Sequence, residues 1–222
     1  MNTIIVSDLH IGCRYFLSEV FERFLETTIK GYDLILNGDI IDDPKMELPP
    51  SHQVILNLIR RASHNRQVVW IRGNHDNGYL SEGFERVQFK RVHSIKKKLL
   101  ITHGDDFDEI MPRNQAFIKA FKLMHNLRIK IGARPVHVAY YAKKWAIFYR
   151  YLRKNVMRNA VRCAVENGYE AVTCGHTHYP EQVVLNGIQY INTGAWTEFP
   201  ACYLVVTPDK IALKTINGNA IN

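Results

Sequence analysis

Two hydrophobic rhythms run along the chain, and they predict different elements. Residues 4–6, 34–36, 68–71, 99–102 and 171–174 are short, continuous apolar runs rich in Ile, Val and Leu. They are too short for helices and lack the alternation of a half-exposed sheet, so they read as strands buried on both faces. Between them the spacing becomes helical. Over 16–29 it gathers Phe16, Val20, Phe21, Phe24 and Leu25 on one face, and over 54–62 it gathers Val54, Ile55, Leu58 and Ile59. After Pro180 the pattern alternates, predicting strands over 182–185, 188–192, 201–206 and 210–216. Asn186-Gly187 is placed for a type I′ hairpin turn. Two further helices, 113–131 and 136–165, flank the break Gly132-Ala133-Arg134-Pro135. Phe117, Ala120, Phe121, Met124 and Leu127 line a face of the first; Tyr140, Tyr141, Trp145, Phe148, Tyr149 and Leu152 line the second. The class is α/β, a single domain over 1–222 with 110–165 inserted between two of its strands.

Composition narrows this little, and charge narrows it more. The 222 residues are 46% hydrophobic, enough for a core without disulfide or metal staples, which excludes collagen, low-complexity disorder and a disulfide scaffold. No apolar run has transmembrane length, and the first residues lack a signal-peptide pattern. A cytoplasmic chain is expected, with peripheral contact on the inner face of the cell membrane. Cys13, Cys163, Cys174 and Cys202 form no CxxC pair and read as reduced thiols. The net charge of +8 is unevenly spread. Residues 110–165 hold thirteen of the 29 basic residues and none of the 21 acidic ones, leaving −5 for the remainder. An anionic partner is expected at that basic helical segment.

Each of the five apolar runs leads into polar residues able to bind metal. They are Ser7-Asp8-Leu9-His10, Asn37-Gly38-Asp39, Arg72-Gly73-Asn74-His75-Asp76, His103-Gly104-Asp105 and Gly175-His176-Thr177-His178. Carboxylate and amide oxygens with imidazole nitrogens suit manganese, iron or zinc. Asp8/His10 and His176/His178 are i, i+2 pairs that an extended backbone projects to one side. Gly38, Gly73, Gly104 and Gly175 supply tight turns where ligands converge. Asp8, His10, Asp39, Asn74, His103, His176 and His178 are too many for one ion, so two metals sharing a carboxylate are expected. His52, His64, His93, His125 and His137 read as packed histidines, and Asp42, Asp43, Asp106 and Asp108 as turn and cap residues.

The ordered set Asp-Leu-His, Gly-Asp, Gly-Asn-His-Asp, His-Gly-Asp and Gly-His-Thr-His, spanning Asp8 to His178, resembles the calcineurin-like metallophosphoesterases. The resemblance implies a four-layer α/β/β/α sandwich of mixed sheets with the helical insertion as a lid. It implies a first metal on Asp8, His10, Asp39 and His178 and a second on Asp39, Asn74, His103 and His176, with manganese favoured over iron or zinc. It also implies in-line attack on phosphorus by a metal-bridging hydroxide. His75, placed by Asn74, would serve the leaving oxygen, and Asp76 would orient His75.

The small chain, the basic aromatic helices after His103 and the run Tyr190-Ile191-Asn192-Thr193-Gly194-Ala195-Trp196-Thr197 resemble the branch containing UDP-2,3-diacylglucosamine diphosphatase, a lipid A pathway enzyme. That branch implies an anionic lipid or nucleotide diphosphate as substrate, with acyl chains beneath the lid. Arg14, Asn114 and Lys154 are the expected phosphate or headgroup contacts. Two alternatives remain. One is a nucleotide or nucleic-acid phosphodiesterase using interleaved basic and aromatic residues. The other is a non-catalytic metal-binding scaffold.

Overall fold

The strands pair because each apolar run needs cover on both faces and ladder partners for its backbone. In the computed structural model, which describes residues 2–76, 78–79 and 82–218 and leaves the side chain of Phe117 undescribed, they form two sheets. The first has the order β11-β10-β1-β2-β3-β4, with β1 Thr3–Val6, β2 Asp33–Asn37, β3 Val68–Ile71, β4 Val87–Lys90, β10 Ala201–Val206 and β11 Ile211–Ile216. Strands β1 to β4 are parallel, and β10 and β11 add antiparallel. The second sheet has the order β5-β6-β7-β9-β8, with β5 Val92–Ile95, β6 Leu99–Thr102, β7 Ala171–Cys174, β8 Glu181–Leu185 and β9 Ile188–Asn192. Its centre, β6-β7-β9, is parallel and its edges are antiparallel.

Strand alternation sorts the core into layers. Ile5, Ile35, Val69, Ile71 and Leu204 of the first sheet meet Leu99, Ile101, Ala171 and Ile191 of the second. The opposite face of the first sheet, with Ile4, Leu34, Leu36, Val68 and Trp70, packs on α1 (Ser18–Thr27) and α2 (Pro50–Ala62) through Phe21, Phe24, Ile55 and Ile59. The outer face of the second sheet, with Leu100, Val172 and Tyr190, packs on Ala160, Val161 and Ala164 of α5 (Ala146–Glu166). The result is the four-layer α/β/β/α sandwich of mixed sheets. Its layering leaves the loops after β1, β2, β3, β6 and β7 to carry the polar motifs.

Two sequence expectations need correction. The stretch 136–165 is two helices, α4 (Val138–Ala142) and α5, following α3 (Gln115–Lys130). The chain leaves helical geometry at Trp145, φ −86° and ψ 63°, whose ring packs edge-on to Phe121 of α3 at 5.3 Å. Tertiary packing makes this break, and no Gly or Pro announces it. Strands β4 and β5 were also unanticipated. They are polar and half exposed (VQFK and VHSI), as an edge position permits. The hairpin at Asn186-Gly187 forms with both residues at positive φ.

Candidate active site

The loop after β1 runs beside the loop after β2, with Asp8 N–H donating to Gly38 O and His10 N–H to Asp39 O, each at 3.0 Å. Seven non-glycine residues have positive φ among the described residues, and five of them are Asp8, His10, Asp39, His176 and His178. Such backbone costs about 1–3 kcal/mol per residue and persists where the surroundings over-determine it. The i, i+2 pairs therefore converge through left-handed ligand positions and not through an extended backbone. Leu9, between the first pair, turns into the helix-side core. Gly73 and Gly175 serve close approach more than turning. A Cβ on Gly73 would lie 2.2 Å from Asp39 Oδ1, and one on Gly175 would lie 2.2 Å from Asp8 Oδ2.

All seven sequence-predicted ligands come together. His10 Nε2 and His178 Nε2 are 3.1 Å apart, and His178 Nε2 is 3.2 Å from Asp8 Oδ1. His103 Nε2 is 3.3 Å from Asp39 Oδ2, and His176 Nδ1 is 3.1 Å from Asn74 Oδ1. Ligand atoms of Asp8, His10 and His178 lie within 4.8 Å of one another, as do those of Asp8, Asp39 and His103. Asp8, His10, Asp39 and His103 are each at most 2% exposed.

The donor chemistry fits cations. His10 Nδ1 faces Asp42 Oδ1 at 2.9 Å and His103 Nδ1 faces Asn37 O at 3.0 Å, so donation there leaves each Nε2 lone pair pointing inward. Among the described residues His103 Nε2 has no hydrogen-bond partner, nor has the buried His178 Nδ1. Lone pairs facing carboxylates need a proton or a metal between them. In the metal-free chain His103 takes the proton. Burial alone would lower its pKa, but the Asp39 carboxylate reverses this and carries it to about 10. Asp39 moves oppositely: burial would raise it, and His103 holds it well below the usual carboxylate range. Asp8 is likewise lowered, with His178 outweighing burial.

His75 lies at the rim of the cluster, its N–H donating to Asp39 Oδ1 at 2.8 Å and its Nδ1 2.7 Å from Asp42 O. Asp76 does not orient it. The buried Asp76 carboxylate instead accepts from the backbone N–H groups of Ile40, Ile41 and Gly73, bracing the loops under Asp39. Asp42 takes the orienting role, with one carboxylate oxygen on His10 and 3.8 Å from His75 Nδ1. Asp108 accepts from Ile110 and Met111 N–H, as a turn residue should, and its other oxygen is 2.8 Å from His176 Nε2. His137 is not merely packed away: its ring stacks on His178 at 5.5 Å and lies 5.4 Å from His10, where burial pushes its pKa down to about 2. Asp42 follows Asp39 by three residues in the same loop, a spacing that marks it. No comparable sequence signal marks Asp108 or His137.

A cavity of about 190 Å³ opens from His10, Asp39, Asn74, His75, His176 and His178 into a wall of Met111, Ile118, Phe121, Val138, Ala142, Trp145, Phe148 and Leu152. Arg14, Asn114 and Lys154 do not line it. Arg14 stacks on Tyr15, Asn114 donates to Ile110 O, and Lys154 faces a separate groove beside β8. The lysine at the cavity is Lys122. Among the other basic residues of the segment, Arg153 is tied to Glu181 at 2.5 Å and Lys143 to Glu198.

The sequence matches the family described as Calcineurin-like phosphoesterase over residues 1–180. No curated protein matches it. Vacuolar Protein Sorting 29 from Cryptosporidium parvum is similar in structure, with a TM-score of 0.51, 12% identity and 97% of each chain covered. A single-mutant Vps29 from Entamoeba histolytica gives a TM-score of 0.50 at 13% identity, covering 98% of this chain and 99% of that one. Yfce, a phosphoesterase from E. coli, gives 0.48 at 18% identity, covering 98% and 100%. At these identities the two Vps29 structures speak to the fold alone.

Proposed function

The chain belongs to the calcineurin-like phosphoesterase family and is a hydrolase, and we propose that it cleaves the diphosphate of UDP-2,3-diacylglucosamine or a related amphiphilic lipid or nucleotide diphosphate. The observation that carries this reading is the cavity, which joins the ligand cluster directly to an apolar wall built by α3, α4 and α5. A small polar phosphoester has no use for that wall, whereas an acyl chain next to a diphosphate fills both ends.

The family is dimetal-dependent, and the residues here fit. Asp8, His10, Asp39 and His178 would hold one ion, and Asp39, Asn74, His103 and His176 the other, with manganese the favoured metal. When bound, such a pair neutralises phosphoryl oxygens and supplies a water-derived nucleophile near neutral pH. The chain's own groups do the rest. Asp42 and Asp108 fix the rings of His10 and His176, so each presents a single nitrogen inward. His75, with Nδ1 held by the Asp42 carbonyl, has Nε2 left for the departing oxygen. The helices of 110–165 act as a lid that excludes water from the apolar end.

Peripheral membrane attachment accords with the same reading. No helix among the described residues is long and apolar enough to cross a membrane. Leu127, Ile131 and Ile147 are nonetheless exposed, Ile147 at 88%, in a segment without acidic residues. The test is to incubate manganese-loaded protein with UDP-2,3-diacylglucosamine in detergent and measure UMP, with Asp39→Ala as control. UMP from the unmutated chain alone supports the proposal. Cleavage of an aryl phosphodiester without any UMP would retain the phosphoesterase and reject this substrate.

A further inference from the structure

Segment 110–165 places one histidine, His137, against the ligand cluster. Its other histidine, His125, is buried beyond it with Nε2 on Val136 O. His137 is the N-cap of α4, and its Nδ1 accepts the Ala139 N–H at 3.3 Å. A ring nitrogen that accepts carries no proton, so the hydrogen of this imidazole sits on Nε2. Nε2 makes no hydrogen bond among the described residues. Asp42 and Cys13 gather with His137 within 4.8 Å, and Asp42 Oδ1 is already engaged by His10. The ring lines the cavity between His178 and His10, followed in sequence by Val138, Ala139 and Ala142 on the apolar wall. The cap on α4 uses Nδ1 alone, so the Nε2–H beside the cavity is a donor left for another acceptor.

We propose that His137 is a substrate-binding residue whose Nε2–H donates to a peripheral phosphate oxygen seated on the ligand cluster, while Val138, Ala139 and Ala142 meet the apolar part of the same molecule. One short helix thereby sets the distance between the phosphoryl group and the first atoms of the tail. The assignment rests on the phosphoesterase reading and extends it to the segment that family chemistry does not require.

The test is calorimetric titration of inorganic phosphate into manganese-loaded unmutated protein, His137→Phe and His137→Gln, with metal content measured on each. His137→Phe keeps a ring in place while giving up the 3.3 Å cap on Ala139 and the Nε2–H. With helix content unchanged by circular dichroism, it should weaken phosphate roughly tenfold or more at unchanged metal content, as loss of one hydrogen bond to a charged group implies. His137→Gln restores an N–H and should stay within about threefold of the unmutated protein. Unchanged affinity in His137→Phe overturns the assignment, as does equal loss of metal from both variants, which would make His137 a packing residue. Should the unmutated protein hold metal yet neither bind phosphate nor cleave an aryl phosphodiester, the phosphoesterase reading falls and this assignment with it. Cleavage with an indifferent His137→Phe defeats the assignment alone.

Discussion

The ligand cluster and the helices above it solve opposite problems. Around Asp8, Asp39 and His103 burial is nearly complete, the backbone is held left-handed at five positions, and Asp42, Asp76 and Asp108 lock the loops and rings. In the segment 110–165 the later turns of α5 pack on the second sheet, but beside the cavity only a small core of Ile110, Tyr149 and Leu152 backs the helices. Large apolar side chains such as Leu123 there stand 71% exposed. Preorganised polar groups suit a fixed reaction centre, because they do not reorganise when charge develops. An apolar, thinly packed surface suits a partner of variable shape. The comparison teaches that the two regions are built to different standards, and on the proposed reading the sandwich holds the reacting bond while the helices select whose bond it is.

The sharpest way to break that division is to remove the shared carboxylate. Asp39→Ala should lose metal and lower kcat/KM by roughly 10³-fold or more on every phosphoester, at least about 4 kcal/mol of transition-state stabilisation. Retained metal and turnover would show that the cluster is not the reaction centre. His75→Ala should keep both metals and lose about 10²–10⁴-fold in kcat, the usual worth of a positioned acid or base. Metal analysis beside steady-state kinetics separates the two variants.

On the helical side, Ala142→Phe narrows the cavity wall. It should reduce kcat/KM for the acylated diphosphate by roughly ten- to a hundredfold while leaving a small aryl phosphodiester within about threefold. Equal losses on both substrates would place α4 in the chemistry instead of in selection. The smallest effect is one of stability. In the metal-free chain His103 is raised from 6.5 to about 10, so the folded state holds a proton that the unfolded chain releases earlier. That contribution is complete below about pH 6.5 and disappears as pH rises through 10. The melting temperature of metal-free protein should therefore fall across that window. Manganese should oppose the fall, since bound metal replaces the proton. A melting temperature independent of pH without metal would deny the His103–Asp39 pairing.

Motifs were legible where local chemistry alone determined them. Continuous apolar strands, the Asn186-Gly187 turn and the seven ligand-type residues all act through their own side chains or backbone preferences. What escaped depends on tertiary packing. The polar edge strands β4 and β5 carry no clear alternation, and the break at Trp145 is set by Phe121 across the segment. Arg14, Asn114 and Lys154 stand away from the cavity because Arg14 stacks on Tyr15, Asn114 bonds Ile110 O and Lys154 faces the groove beside β8, contacts that the local sequence does not announce. Asp108 and His137 looked like a turn residue and a packed ring, and each is partly that. Their second contacts, to His176 and His178, join positions far apart in sequence.

The central claim, that acyl chains in the helical cavity select the substrate, is tested most directly by one ratio. With manganese-loaded protein, UMP release from UDP-2,3-diacylglucosamine is compared with release from UDP-N-acetylglucosamine, which presents a sugar diphosphate without the long chains. The account predicts a preference in kcat/KM of at least about a hundredfold, the scale that several buried methylenes supply. Equal rates on the two would contradict it.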